Sequence, residues 1–194
     1  MEDSRRRGRR TLLLVAALFL VPVVVAFALY YGNVWRPAGS ASKGELITPA
    51  IPLITSGLQL PDGTAAGAGA LQGKWSIVYV GDGGCNEACR AALVFARQTR
   101  LALNNEMTRV QIVLLASTHC CQPEIERHVP GILMYDASTN DAAPLLAQFP
   151  EERRAWSLFI VDPLGNLMMR HDGAHTSKDL LSDLKNLLRL SHIG

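Results

Sequence analysis

Much familiar chemistry is missing from this sequence. No Gly-rich phosphate loop, no Ser–His–Asp order and no carboxylate pair stands out along its 194 residues, and no segment repeats. Aromatic residues are few, at 6%. Charge of one sign is scarce too. The formal net charge is +2, and the excess sits in the first ten positions, at Arg5, Arg6, Arg7, Arg9 and Arg10. Beyond them 14 basic residues face 15 acidic ones, a net of −1. A body this close to neutral has no electrostatic footprint for nucleic acid. Disorder is excluded as well, because 48% of the residues are hydrophobic. The length suits one domain, two at most.

What is present begins with a long apolar run. Thr11 to Tyr31 carries no charge and is about as long as a helix crossing a bilayer core of roughly 30 Å. The arginines before it place the N-terminus in the cytoplasm by the positive-inside rule, and Tyr30, Tyr31 and Trp35 lie where an interfacial aromatic belt belongs. Pro22 is tolerated in such a helix. A cleaved signal peptide has a shorter apolar region with a small-residue cleavage site close behind. Here Gly39-Ser40-Ala41 comes only after Trp-Arg-Pro, so an uncleaved anchor is expected. An arginine pair also hints at twin-arginine export, but the hydrophobic residue usual after such a pair is absent. The expected organisation is a basic cytoplasmic tail (1–10), a single-pass anchor in a bacterial inner membrane (11–31), a Gly/Pro/Ser-rich linker (32–56) and a periplasmic domain (57–194). An oxidising compartment lets cysteines pair or cycle.

Within the domain, apolar runs alternate with helical patterns. Leu58-Gln59-Leu60 reads as a short strand before a Pro-Asp-Gly turn. Trp75–Val80 and Val110–Ala116 read as buried strands, with a helix from Asn86 to about Asn104 between them. Ile132–Tyr135 is a short strand and Ala142–Phe149 a short helix. Ser157–Val161 and Leu167–Arg170 form a hairpin around Asp162-Pro163-Leu164-Gly165-Asn166. Leu180, Leu181, Leu184, Leu187 and Leu188 make one stripe of a last helix, opened by Thr176 and Asp179 as a capping pair. The pattern predicts an α/β fold with a mixed sheet.

The informative stretch is Val78–Arg90, VYVGDGGCNEACR. A buried strand ends, a Gly-rich turn follows, Cys85 opens the helix and Cys89 comes four residues later. Residues four apart share a helix face, so the two sulfurs can reach disulfide distance or hold one Cu(I) between two thiolates. The helix N-terminus lowers the Cys85 pKa. A structural disulfide or a pair of inert core thiols fits the same spacing.

The strand ending in Tyr-Val, the Gly turn, Cys-x-x-x-Cys and the later Phe-Ile-Val-Asp-Pro-x-Gly hairpin resemble the Sco family. Its members are membrane-anchored, thioredoxin-like proteins that help assemble cytochrome c oxidase. The resemblance covers about residues 45–190, is carried by GKWSIVYVG, CNEACR and FIVDPLGNLMMR, and is nearest to a divergent bacterial subgroup. It implies a thioredoxin-like mixed sheet with flanking helices behind one transmembrane helix. Family members bind copper through the two cysteines and a His eight residues before the hairpin Asp. Counting back from Asp162 gives Arg154, which cannot coordinate Cu(I). The resemblance then implies thiol–disulfide exchange, with Cys85 and Cys89 as the reacting pair. The partner expected is the copper-bearing subunit of the oxidase, or another assembly factor. A cation at Arg154 favours thiolate, and Arg154→His is expected to supply the missing copper donor. Cu(I) carriage through the same cysteines is the alternative role, and an assembly scaffold with structural cysteines is a third.

Other donors are conceivable. His119 and Cys120, followed by Cys121, come just after the strand Val110–Ala116, whose end shares a sheet edge with Cys85; they are the candidate additional ligands. His171 and His175 flank the turn after the hairpin and read as solvated loop residues. Of Met168 and Met169, one is expected in the core. His128 and His192 carry no argument. Glu151 to Arg154 read as a solvated charged turn.

Overall fold

The computed structural model describes residues 2–31, 42–81, 84–118, 123–154, 156–173, 176–191 and 193. They divide into two compact units, Met1–Ala41 and Ser42–Gly194.

The first unit is the helix α1, Glu2–Tyr31, with Pro22 inside it. Its stretch Gly8–Leu29 is 22 residues long, apolar enough to cross a membrane, and not buried against protein. At about 1.5 Å per residue this matches a bilayer core. Near its end Phe27 stacks on Tyr31, with ring centroids 5.2 Å apart. Trp35 lies outside the described residues.

The second unit is built on β1 (Glu45–Pro52), β2 (Trp75–Gly81), α2 (Glu87–Leu101), β3 (Val110–Ala116), α3 (Pro123–His128), β4 (Leu133–Asp136), α4 (Ala143–Ala147), β5 (Leu158–Val161), β6 (Asn166–His171) and α5 (Ser177–Leu190). One sheet has the order β1-β6-β5-β2-β3-β4. β2, β3 and β4 run parallel, and β5, β6 and β1 add antiparallel pairs. Central β2 is buried along Trp75–Val80, as a strand covered on both faces must be. Its residues divide by parity. Ile77 and Tyr79 join the core under α2 and α5, while Val78 and Val80 join the core of the other face, where α4 packs.

Local signals set several boundaries. Thr176 and Asp179 form the capping box that starts α5. The Asp162 carboxylate accepts the N–H groups of Leu164 and Asn166 at 2.9 and 2.8 Å. Gly165 supplies the left-handed position of that turn, with φ +89°. Of the methionine pair, Met169 is buried in the core.

Three readings of the chain change. Part of the segment expected to be linker, 32–56, is folded: β1 forms the sheet edge, with Glu45 opposite Arg170 and Leu46 opposite Met169. Leu58-Gln59-Leu60 is no ladder strand, since Gln59 makes only isolated bridges, to Ala65 and Asp136. The helix read as far as Asn104 stops at Leu101, and a 3-10 helix, Asn104–Arg109, turns the chain into β3.

Candidate redox site

Cys85 and Cys89 are joined by a disulfide, with Cα atoms 5.1 Å apart. Both are buried, at 2% exposure. They pack in the core that includes Tyr79, Leu93, Ala96 and Leu158. Their placement differs in one respect from the helical i,i+4 pair expected. Cys85 does not open the helix. Asn86 is the N-cap, and its side chain accepts the Cys89 N–H at 3.0 Å. Asn caps well because its carbonyl oxygen satisfies a donor the helix leaves free. Cys85 therefore precedes the cap, with φ +44°. Such a backbone is uncommon for a residue with a side chain and clusters at functional sites. Cys89 sits in the first turn of α2, so the partial positive charge of the helix end lies beside both sulfurs.

The ends of β2 and β3 share a sheet edge, with Gly81 opposite Ala116. His119, Cys120 and Cys121 lie outside the described residues, as do His175 and His192.

Arg154 is not where a cation beside the sulfurs requires it. Its guanidinium donates to the carbonyl oxygens of Phe149 and Leu146, both at 2.7 Å, at the end of α4. Leu145 and Phe149 belong to the core on the face opposite the disulfide. The group that counting placed beside the thiolates instead closes a helix. Among the described residues no group of three or more His, Cys, Asp or Glu is arranged to hold a metal ion. Reduction frees two sulfur donors, and among the described residues no His, Asp, Glu or further Cys joins them as a third.

His171 is also corrected. It is the last residue of β6 and is buried, not a solvated loop residue. Its Nε2 lies 3.1 Å from the Asp183 carboxylate of α5. The inward parity of Met169 continues to His171, and that was the signal in the sequence for its burial. A cleft of about 170 Å³ opens beside it, lined by Ala91, Ala92 and Phe95 of α2 and by Trp156. Trp156 is 60% exposed and has φ +60°, in the left-handed region that a bulky side chain rarely adopts.

A family model described as transmembrane-like, thioredoxin-like, C-terminal domain matches residues 75–191, and one described as transmembrane-like, N-terminal domain matches residues 2–33. Similar solved structures include yeast Sco1 with copper bound, at TM-score 0.64 and 15% identity, covering 75% of this chain and 96% of that one. Apo Sco1 from Thermus thermophilus aligns at TM-score 0.59 and 18% identity, over 78% and 99%. BsSco, a member of the Sco family of cytochrome c oxidase assembly proteins in which a disulfide switch was identified, aligns at TM-score 0.51 and 16% identity, over 76% and 100%. These likenesses establish a shared fold. No curated protein matches the sequence at a significant level.

Proposed function

The chain belongs to the family of transmembrane-like, thioredoxin-like C-terminal domains, and from that premise we propose that it is a membrane-anchored assembly factor for cytochrome c oxidase, acting by thiol–disulfide exchange at Cys85 and Cys89. The single observation that carries this reading is the disulfide at the junction of β2 and α2. A bond there has a helix end beside both sulfurs, which stabilises the thiolate that exchange requires. In this reading Cys85 carries the mixed disulfide and Cys89 resolves it. The client is a cysteine pair of the oxidase's copper-bearing subunit, and the domain faces the periplasm with the N-terminus in the cytoplasm. The assembly role draws on the description of BsSco.

A Cu(I) carrier built on the same cysteines is the second reading, and copper-bound Sco1 from yeast favours it. Among the described residues no third His, Cys, Asp or Glu joins the two cysteines.

The test is genetic and biochemical together. Loss of the gene should lower assembled oxidase, and the parent chain should restore it. Cys85→Ser and Cys89→Ser should each fail to do so. Full restoration by either variant overturns the exchange mechanism.

A further inference from the structure

Charge of one sign collects in a single place. Arg5, Arg6, Arg7, Arg9 and Arg10 face only Glu2 and Asp3, which leaves residues 1–10 with a net of +3. All five lie on α1, which runs unbroken from Glu2 to Tyr31. The match to the transmembrane-like N-terminal domain starts at residue 2, so these positions belong with the span. At about 1.5 Å per residue the uncharged run from Thr11 to Tyr31 takes up a hydrocarbon core of roughly 30 Å. Going back from position 10 to position 5, the helix rises a further ~7.5 Å. The headgroup layer on each side of a bilayer is about 5 to 8 Å deep. The five arginine positions thus fall at the depth of the lipid phosphates. The positive-inside rule counts arginines anywhere within about 15 to 20 residues of a span and does not require this depth.

Helical spacing adds a second argument. At about 100° per residue, positions 5, 9, 6, 10 and 7 follow one another round an arc of about 200°. Arg5 and Arg9 are four apart, as are Arg6 and Arg10, and like charges at that spacing destabilise a helix. Glu2 and Asp3 stand four positions before Arg6 and Arg7, where opposite charges help. Arg9 and Arg10 have no acidic residue three or four positions away, and both are exposed. Helix stability alone does not favour cations crowded in this way. Anionic groups set between them relieve the repulsion, and a guanidinium grips phosphate through two parallel hydrogen bonds. An arc this wide faces several headgroups rather than one.

We propose that residues 5–10 form a binding surface for the phosphate groups of anionic lipids, in the leaflet that the N-terminal end of α1 meets. This rests on the membrane anchor and not on the exchange reading. The complementarity is of charge and depth together: five cations on one helix, at the level where a bilayer carries its phosphates. The surface gathers a shell of negatively charged lipids round the anchor and fixes how deep the helix sits. Attraction of this kind is screened by salt.

The experiment uses the full-length protein in a neutral detergent, with equal amounts of phosphatidylglycerol and phosphatidylcholine of the same acyl chains. Native mass spectrometry counts the lipids that each protein retains. The parent should retain phosphatidylglycerol over phosphatidylcholine by at least about fivefold, which is what one arginine contributes beside an anionic surface. The preference should fall towards equality as salt rises from about 0.1 to 1 M, where the screening length drops from about 10 to 3 Å. Arg→Gln at all five positions should abolish it. Arg5→Gln together with Arg9→Gln leaves three arginines to orient the anchor and should at least about halve it. That variant keeps the test decisive should the quintuple one fail to insert. A preference absent from the parent, or equal in the parent and both variants, overturns the surface. Inorganic phosphate at constant ionic strength should not displace the lipid, and displacement would assign the site to a free anion instead. A full-length chain that stays in solution without detergent overturns the anchor, and the surface with it.

Discussion

The guanidinium of Arg154 closes on the carbonyl oxygen of Leu146 at 2.7 Å, with Phe149 as its second acceptor. A half-buried cation here adds a charged donor to two carbonyls at the end of α4, that of Leu146 also accepting the Phe149 N–H at 3.0 Å. Arg154→His should lower stability by about 1 to 3 kcal/mol, the range for hydrogen bonds to a charged group. It should leave Cu(I) affinity unchanged, because the side chain at 154 is held at the carbonyls of Leu146 and Phe149, and Phe149 packs in the core that does not include the cysteines. Thermal melting and competition with a Cu(I) chelator check the two halves. Tighter copper binding in the variant would contradict this placement.

The Cys85–Cys89 disulfide should be reversible, with Cys85 the more acidic thiol once reduced. Cys85 precedes the N-cap, on the side to which the free N–H groups of the first turn of α2 point. Alkylation rates across pH, measured on Cys89→Ser and Cys85→Ser, should give Cys85 a pKa below the free-cysteine value of about 8.5.

Gly44→Ala should destabilise the domain. A methyl group at this position meets His171 Nε2 at 2.6 Å, His171 Cδ2 at 2.8 Å and the main-chain oxygen of Arg170 at 2.9 Å. The oxygen belongs to β6 and cannot swing aside. Overpacking of this kind costs about 1 to 3 kcal/mol, which urea unfolding would register.

A chain starting at residue 42 should fold, and one starting at 57 should be markedly less stable. The shorter one loses β1 together with the N–H groups of Lys43 and Gly44 that Asp183 accepts. Near-UV circular dichroism and melting temperature compare the two. Equal stability would make β1 dispensable.

Glu45 ties β1 to its neighbours. Its carboxylate accepts from Arg170 at 2.7 Å and from Arg153 at 2.9 Å. The Arg170 hydrogen bond, followed by that of Arg153, holds its pKa below the ordinary value. A carboxylate lowered in this way adds stability that is present above its unfolded pKa and lost as pH falls through the folded one. Glu45 is itself exposed, so Glu45→Gln should cost less than about 1 kcal/mol at neutral pH. The difference between variant and parent should vanish in acid. A difference that persists at low pH would assign it to packing instead.

The sequence by itself determined the features that local chemistry decides. The uncharged run from Thr11 to Tyr31 has to be a long apolar helix. Trp75–Val80 and Val110–Ala116 have to be covered on both faces. The Asp162 turn and the Thr176–Asp179 box each close within a few residues, through side chains bonding nearby N–H groups. The Cys-x-x-x-Cys spacing marked the disulfide for the same reason, since its partners are four apart. Tertiary structure decided what depends on distant partners. β1 is a strand because Glu45 and Leu46 find Arg170 and Met169 on β6, a pairing invisible in a segment rich in proline and polar residues. Arg154 was assigned by counting to the cysteines, and the end of α4 claimed it because the carbonyls of Leu146 and Phe149 lay within reach. His171 meets Asp183 because α5 packs over that face of the sheet. No local pattern announces a contact between side chains on two elements that meet only once the sheet is covered.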